Sequence, residues 1–157
     1  MTQGKKNNHR KEDLYQLTYD EDDHVAFNAL HVLSHFDSAN NEWLCSKHDN
    51  LIDRVMNEKH VGKCRLMLNL LLRQPFGAES LRPDFIDFCI AMITDSTQSY
   101  AIRAYCMKLA YEQMKYHREL LEELRMTLDM LEQEALSPGL LSAKRLIMKK
   151  IWRSLDI

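Results

Sequence analysis

The chain has 157 residues, which corresponds to roughly one domain and is long enough to bury a hydrophobic core. Hydrophobic residues make up 45% of it, with only 4 glycines and 3 prolines, which argues against disorder and against a sheet protein with many turns. The formal net charge of -2 gives no overall attraction to nucleic acid or to an anionic membrane. Helices are therefore the expected elements, and any charged binding surface has to be local.

The amino-terminal residues 1–13 are polar and lack the apolar stretch of a secretory signal. We expect residues 1–10 to be disordered and residues 11–157 to form one domain in the cytoplasm. No membrane span is expected, because the densest apolar run, residues 66–72, is short and contains Asn69. The cysteines lack the close spacing of a zinc or redox motif and are expected to be core residues: Cys45, Cys64, Cys89 and Cys106.

Periodicity and helix punctuation predict four helices in the first half of the chain. The predicted ranges are 11–17, 23–36, 42–56 and 59–74. The second follows an acidic turn at residues 20–23, whose charges suit a helix start. The third could be broken near residues 47–50, and Pro75 and Gly77 stop the fourth.

Four more helices are predicted in the second half. The predicted ranges are 81–94, 98–115, 118–134 and 138–154. Ser80 is expected to cap the first of them, with Pro83 in its first turn, where a missing backbone donor does little harm. The cluster at residues 95–97 is expected to form a turn and open the next helix, and Ser137 and Pro138 to cap and start the last one.

The predicted helices pair as hairpins, and the second helix of each pair recurs along the chain. These second helices are expected at residues 24–36, 60–74, 100–113 and 140–153. Val25, Val61 and Ala101 occupy equivalent positions 36 and 40 residues apart, and Ala104 and Ala143 are 39 residues apart. A period near 40 residues is typical of a two-helix repeat, so the pattern predicts an all-α solenoid of about four hairpins.

The segment from Pro83 to Ala110, PDFIDFCIAMITDSTQSYAIRAYCMKLA, resembles a HEAT repeat. In that family a first helix begins near a proline, a turn contains an aspartate, and the second helix opens with small residues and an arginine, as at Pro83, Asp95 and Arg103. Residues 24–36 and 115–131 are similar to helices of small bacterial HEAT-like proteins. The resemblance implies an alpha-alpha superhelix in which Asp95 and Arg103 join successive repeats through polar contacts.

In a solenoid the second helices line the concave side, where extended partners usually bind. Their polar stripes therefore predict a binding groove, mostly basic, that could hold carboxylates or phosphates. The predicted groove residues are His24, Asn28, His31, His35, Arg65, Asn69, Arg73, Tyr105, Lys108, Glu112, Arg145, Lys149 and Arg153. The alternative is that these stripes are only solvated helix faces.

Motifs for chemistry are absent from the sequence. His31 and His35 lie one helical turn apart and, with His24, could converge on a divalent metal, but no carboxylate or cysteine occurs at a companion spacing in that helix. Groove-lining histidines are therefore favoured, and no metal or cofactor is expected. The chain has no phosphate-binding glycine loop, nucleophile elbow or kinase motif, so no catalytic residue is predicted.

Two functions from different classes fit this pattern. The first is a non-enzymatic scaffold whose groove holds an acidic protein or peptide. The second is a nucleic-acid-binding protein related in build to the HEAT-like DNA-alkylation-repair glycosylases, although the catalytic acid and aromatic pocket of those enzymes cannot be placed here. A lyase such as adenylosuccinate lyase is not supported, because its signature loop and long central helices are missing.

The last helix is also a candidate contact between two copies of the chain. Solenoid ends expose apolar faces unless they are capped. A homodimer is therefore predicted through the last helix, near Ile147, Ile151 and Trp152.

Overall fold

The computed structural model describes residues 2–36, 41–132 and 135–156, with side chains described from residue 9 onward and not at residue 41. Within these ranges the chain forms nine α-helices and no strand. The helices are α1 (Thr2–Leu17), α2 (Asp23–Ser34), α3 (Asn41–Cys45), α4 (His48–Val55), α5 (Val61–Leu72), α6 (Pro83–Thr94), α7 (Tyr100–Met114), α8 (Arg118–Asp129) and α9 (Pro138–Leu155). The predicted all-α fold class is confirmed.

The chain divides into two compact units, Met1–Gln74 and Pro75–Ile157. In the first unit α1 packs on α2 and α4 packs on α5. In the second unit α6 packs on α7 and α8 packs on α9. The described residues thus contain the four predicted hairpins, two in each unit. The expected single domain over residues 11–157 stays a prediction, because compactness alone does not tell whether a unit folds by itself.

The second helices of the first unit lie side by side and run in the same direction. At their starts, Lys63 Nζ of α5 lies 2.8 Å from Asp23 Oδ1 of α2. At their ends, Arg73 Nη1 donates to the carbonyl of Leu33, a residue 40 positions earlier. Two parallel helices related by 40 residues are the arrangement that a two-helix repeat predicts.

The second unit repeats this arrangement with α7 and α9. A Cβ placed on Gly139, near the start of α9, would lie 3.4 Å from the ring of Tyr100 at the start of α7. At the other ends the hydroxyls of Tyr111 and Ser154 are 3.2 Å apart. The two second helices are therefore parallel here as well, and α6 and α8 supply the first helices of the two hairpins.

Helix starts follow local chemistry. The oxygen of Ser137 accepts a hydrogen bond from the Leu140 amide at 3.2 Å, which confirms the predicted cap of α9. The predicted cap by Ser80 is wrong, since α6 begins at Pro83 and the residue before this proline is held extended, with φ -122° and ψ 101° at Arg82. The cap of α7 is Ser99, two residues after the predicted 95–97 cluster.

Some helix ends differ from the prediction. The break expected near residues 47–50 is confirmed, because α3 ends at Cys45 and α4 begins at His48. Helix α8 ends at Asp129, before the predicted residue 134, which lies outside the described residues. Helix α1 begins at Thr2, before the predicted start at residue 11. The expected disorder of residues 1–10 stays a prediction, and Met1 lies outside the described residues.

The core of each unit is built from the apolar stripes of its hairpins. Among the largest fully buried side chains are Leu30, Leu33, Leu51, Met67, Leu68, Phe85, Ile93 and Met107. Cys64, Cys89 and Cys106 are buried as expected, whereas Cys45 is exposed at the end of the short α3. A five-residue helix offers too little surface to bury every apolar side chain on it.

Candidate binding surface

The groove residues predicted on α2 all reach solvent. His24, Asn28, His31 and His35 are exposed along one side of the helix. The His35 Nδ1 lies 2.9 Å from the carbonyl oxygen of His31, a contact in which the ring must donate. The His35 ring therefore closes the end of its own helix, and the other three polar side chains continue along the same side toward the start of α2.

The two histidines near the end of α2 are neighbours in space. The ring centroids of His31 and His35 are 4.5 Å apart, and Phe27 stacks on His31 at 6.2 Å. In the part of the chain that the structure describes, no three histidine, cysteine, aspartate or glutamate side chains come together as a metal site would require. This pair alone offers two ligands, fewer than the three or four protein ligands of a typical zinc site.

On α5 the predicted groove residues are half-buried, and one of them has a structural task. Arg73 Nη1 donates to the carbonyls of Leu33 and Ser34 at 3.4 and 3.1 Å, and Nη2 donates to the carbonyl of Phe36. These carbonyls lie at the end of α2, where helical partners are missing. Arg73 therefore holds two helices together and is a poor choice for binding a partner.

On α7 the predicted residues Tyr105, Lys108 and Glu112 are half-buried. The Glu112 carboxylate is already paired, since its Oε2 lies 2.8 Å from Lys115 Nζ. The same carboxylate raises the pKa of Lys115 through this hydrogen bond. The charge of Glu112 is thus balanced by a cation at the end of its own helix.

Helix α9 carries the most accessible cations of the predicted groove. Arg145, Lys149 and Arg153 follow each other at four-residue spacing and are all exposed. The buried side of the same helix holds it against its unit through residues such as Leu140 and Leu155. Since no carboxylate of the described ranges forms an ion pair with these three cations, the stripe presents net positive charge.

A shallow cleft of about 570 Å³ lies on α9 beside the end of α8. Its lining residues are Asp129, Leu141, Ser142, Lys144, Arg145, Leu146, Met148, Lys149 and Trp152. Apolar side chains form much of it, with Trp152 46% and Leu146 50% exposed. The cations of this surface were predicted and the cleft was not, although Leu141, Arg145, Met148 and Trp152 recur at helical spacing.

Comparison with models of protein families matches a HEAT repeat domain over residues 1–151. The chain belongs to the HEAT repeat domain family. This confirms the resemblance expected from residues 83–110 and extends it over nearly the whole chain. No curated protein and no solved structure matches the chain.

The turn aspartate and helix arginine of the HEAT repeat at residues 83–110 act within one hairpin. Arg103 is 7% exposed, and its Nε and Nη2 donate to the carbonyl of Ile93 at 3.0 and 2.9 Å. Asp95 accepts hydrogen bonds from the amide and hydroxyl of Thr97, which hold the pKa of its carboxyl below the usual value. The contacts that the structure shows for Arg103 and Asp95 thus stay between the ends of α6 and α7.

A polar contact between successive HEAT hairpins comes from Arg54, which sequence reasoning missed. Its Nη1 and Nη2 donate at 2.8 Å to the hydroxyl and carbonyl oxygens of Thr18, just past the end of α1. The guanidinium also lies 3.7 Å from the ring centroid of Tyr19. Arg54 lies 36 residues after Thr18, and a contact between residues so far apart leaves no periodic signal in the sequence.

The structure corrects the surface predicted for a homodimer. Ile147 and Ile151 are 1% and 0% exposed, because they pack in the core of their own HEAT unit. Trp152, the third residue predicted at this contact, is 46% exposed.

In the described ranges no helix is both long and apolar enough to span a membrane.

Proposed function

We propose that this HEAT repeat domain is a non-enzymatic binding module that holds an acidic protein or peptide on its second helices. The observation that carries the proposal is the row of exposed cations on α9, Arg145, Lys149 and Arg153, which no described carboxylate neutralises. HEAT repeats often mediate protein interactions, and arginine offers the fork geometry that carboxylates prefer. The proposed place of action is the cytoplasm, where the free cysteines of the chain would stay reduced.

The remaining groove residues contribute in different ways to this proposal. Arg65 and Lys108 add positive charge on α5 and α7, and the α2 stripe of His24, Asn28 and His31 adds hydrogen-bonding groups. Arg73 is left out of the proposed contacts because its donors are committed to the end of α2. Each unit would thus present a polar surface, with the stronger cationic character on α9.

Nucleic acid is the competing partner, since phosphates attract the same cations. What favours an acidic peptide is the apolar surface beside those cations, where Trp152 and Leu146 are half exposed. A duplex backbone offers phosphates and sugars to such a surface, whereas a peptide offers side chains that can bury it. An apolar homodimer contact through α9 would use the same two residues, because Ile147 and Ile151 are buried.

The test is a titration of the protein with fluorescein-labelled polyglutamate, duplex DNA and single-stranded DNA over a series of salt concentrations. The variant Arg145→Glu/Lys149→Glu is compared with the matched control Arg10→Glu/Lys59→Glu, which reverses two exposed cations elsewhere. We expect salt-sensitive binding of polyglutamate that the α9 variant weakens about tenfold or more and the control leaves nearly unchanged.

Two results would overturn the proposal. Tighter binding of either DNA than of polyglutamate, lost in the α9 variant, would establish the nucleic-acid alternative. No binding of any of the three probes at low salt would remove the cationic stripe as a binding surface.

A further inference from the structure

We propose that the cleft on α9 is the docking site of an acidic peptide segment that inserts one large apolar side chain against Trp152. The inference rests on the proposed function. It adds the place where the partner binds and the apolar side chain that the partner carries besides its negative charge.

The cleft lies on the open side of α9. One side of α9 faces α7. On that side Gly139 lies next to the Tyr100 ring, and Lys150 and Ser154 lie next to the side chain of Tyr111. At 100° per residue, Leu141, Met148 and Trp152 fall on the other side of the same helix. On this side Trp152 is 46% exposed, so the described helices leave this surface uncovered.

The floor of the cleft suits an apolar anchor. Trp152 is 46% exposed, and Leu141 and Met148 flank it at helical spacing. Tryptophan is among the residues that most often dominate binding energy when a partner excludes water from it. A volume of about 570 Å³ lies within the range of roughly 300–1,000 Å³ typical of ligand pockets. The floor can therefore accept a large aliphatic or aromatic side chain.

The charges of the cleft select an acidic partner. Its carboxylate, Asp129, is already paired, since Oδ2 lies 3.0 Å from Arg125 Nη1. The buried Lys144 points its Nζ at the carbonyl of Leu131, 3.4 Å away. Arg145 and Lys149 are left without a carboxylate partner among the described residues, so the cleft carries positive charge that a peptide with acidic residues beside its anchor would neutralise.

The same charges disfavour a second copy of the chain as the occupant. In a two-fold contact whose axis passes between Arg145 and Lys149, the cations of one protomer would lie beside those of its partner. Like charges brought together in an interface are destabilising. A foreign acidic segment meets opposite charge on the same surface, and we therefore assign the cleft to it.

The experiment uses the full chain and three synthetic peptides of equal length. The first peptide carries leucines at helical spacing, so that they share one face, with glutamates at positions between them. The second peptide replaces each leucine by alanine, and the third replaces each glutamate by glutamine. Binding is followed by fluorescence anisotropy and by the indole N–H signals in nitrogen–proton correlation spectra. The chain has 2 tryptophans, and the variant Trp152→Phe assigns their signals.

We expect the first peptide to bind at least about tenfold more tightly than either of the others, because burial and charge both contribute. The indole signal of Trp152 should move on binding while that of Trp43 stays. Trp152→Ala should remove most of the advantage over the alanine peptide, whereas Tyr100→Ala, which truncates a 60% exposed aromatic on α7, should keep it.

The outcomes separate the cleft from the broader proposal. The cleft proposal is wrong if the acidic peptides bind Trp152→Ala as tightly as the wild type and do not shift the Trp152 signal. The proposal of a cationic binding surface would still hold in that case. Tightest binding of the glutamine peptide would overturn the acidic partner. Concentration-dependent dimerisation that Trp152→Ala abolishes, with no peptide binding, would assign the cleft to a second copy instead.

Discussion

Basic side chains in this chain often act as caps for the ends of neighbouring helices. Donors of several of them reach carbonyl oxygens at or just beyond a helix carboxyl end: Arg54, Arg73, Arg103, Arg118 and Lys144. Those carbonyls lack helical partners and carry the negative end of the helix dipole, so a cation is favoured there. A basic residue on one of these helices can thus serve packing as well as binding. Fewer basic residues therefore remain as candidates for contact with a partner.

Tyr15 is the ionisable residue with the clearest pH signature. Its ring is 2% exposed, its hydroxyl donates to Asn50 Oδ1, and burial raises its pKa to about 12. Folding therefore favours the protonated phenol over the phenolate. The resulting stabilisation is complete below the ordinary tyrosine value of 10.0 and is lost as the pH rises toward 12.

We predict that Tyr15→Phe makes the free energy of unfolding less dependent on pH in this alkaline range. The variant loses the hydrogen bond to Asn50, so it should be less stable than the wild type at neutral pH, by about 1 kcal/mol. The measurement is urea unfolding at several alkaline pH values, with Tyr100→Phe as the exposed control. Parallel losses of stability in the wild type and in Tyr15→Phe would contradict the assignment.

At the scale of the element, the close approach of α2 and α5 depends on a glycine. A Cβ on Gly62 would lie 2.9 Å from Phe27 Cε2 and 3.1 Å from His60 Cε1. His60 caps α5, since its Nδ1 accepts from the Lys63 amide at 3.2 Å. A methyl group at this position would therefore push on the packing of α2 and on the cap of α5 at once.

Gly62→Ala is expected to destabilise the protein by about 1 kcal/mol, although alanine is the better helix former. The matched control is Gly139→Ala at the start of α9, where the nearest atom would be Tyr100 Cε2 at an ordinary 3.4 Å. Gly139→Ala should be neutral or slightly stabilising in the same denaturation experiment. Equal effects of the two substitutions would show that helix propensity, and not the contact with Phe27, decides.

At the scale of the whole molecule, helices pack closely both within a hairpin and between the second helices of neighbouring hairpins. The helix pairs that pack most closely lie within one unit, as in α6 with α7 and α2 with α5. In a repeat protein such local contacts make stability a sum of hairpin and nearest-neighbour contributions. A lesion in one hairpin should then be felt most by the helices that pack on it.

Arg103→Ala tests this expectation. It leaves the carbonyl of Ile93 buried without its two donors, and we expect a loss of about 2 kcal/mol. Amide hydrogen exchange should speed up most in α6 and α7, less in α8 and α9, and least in α1 and α2. Acceleration by the same factor along the entire chain would instead indicate a single cooperative unit.

Local signals in the sequence specify the all-α fold class and the two-helix repeat. Apolar periodicity, Pro83, Pro138 and Ser137 are local signals, and they placed most helices, the cap of α9 and the pairing into four hairpins. The row of Arg145, Lys149 and Arg153 was also readable, because spacing along one helix decides which side chains share a face. The start of α6 was mispredicted because two signals lie close together. Ser80 is a good capping residue, but Pro83 holds the residue before it extended, and the helix begins at the proline.

Two properties depend on the packing of helices against each other. They are which polar side chains remain available for binding and which apolar side chains stay exposed. Arg73 and Arg54 donate to residues 36 to 40 positions away, and such partners leave no trace in local spacing. Ile151 and Trp152 are adjacent in sequence, yet one is 0% and the other 46% exposed. The difference arises because α8 and α7 cover one side of α9 and leave the other side, with its cleft, open to solvent.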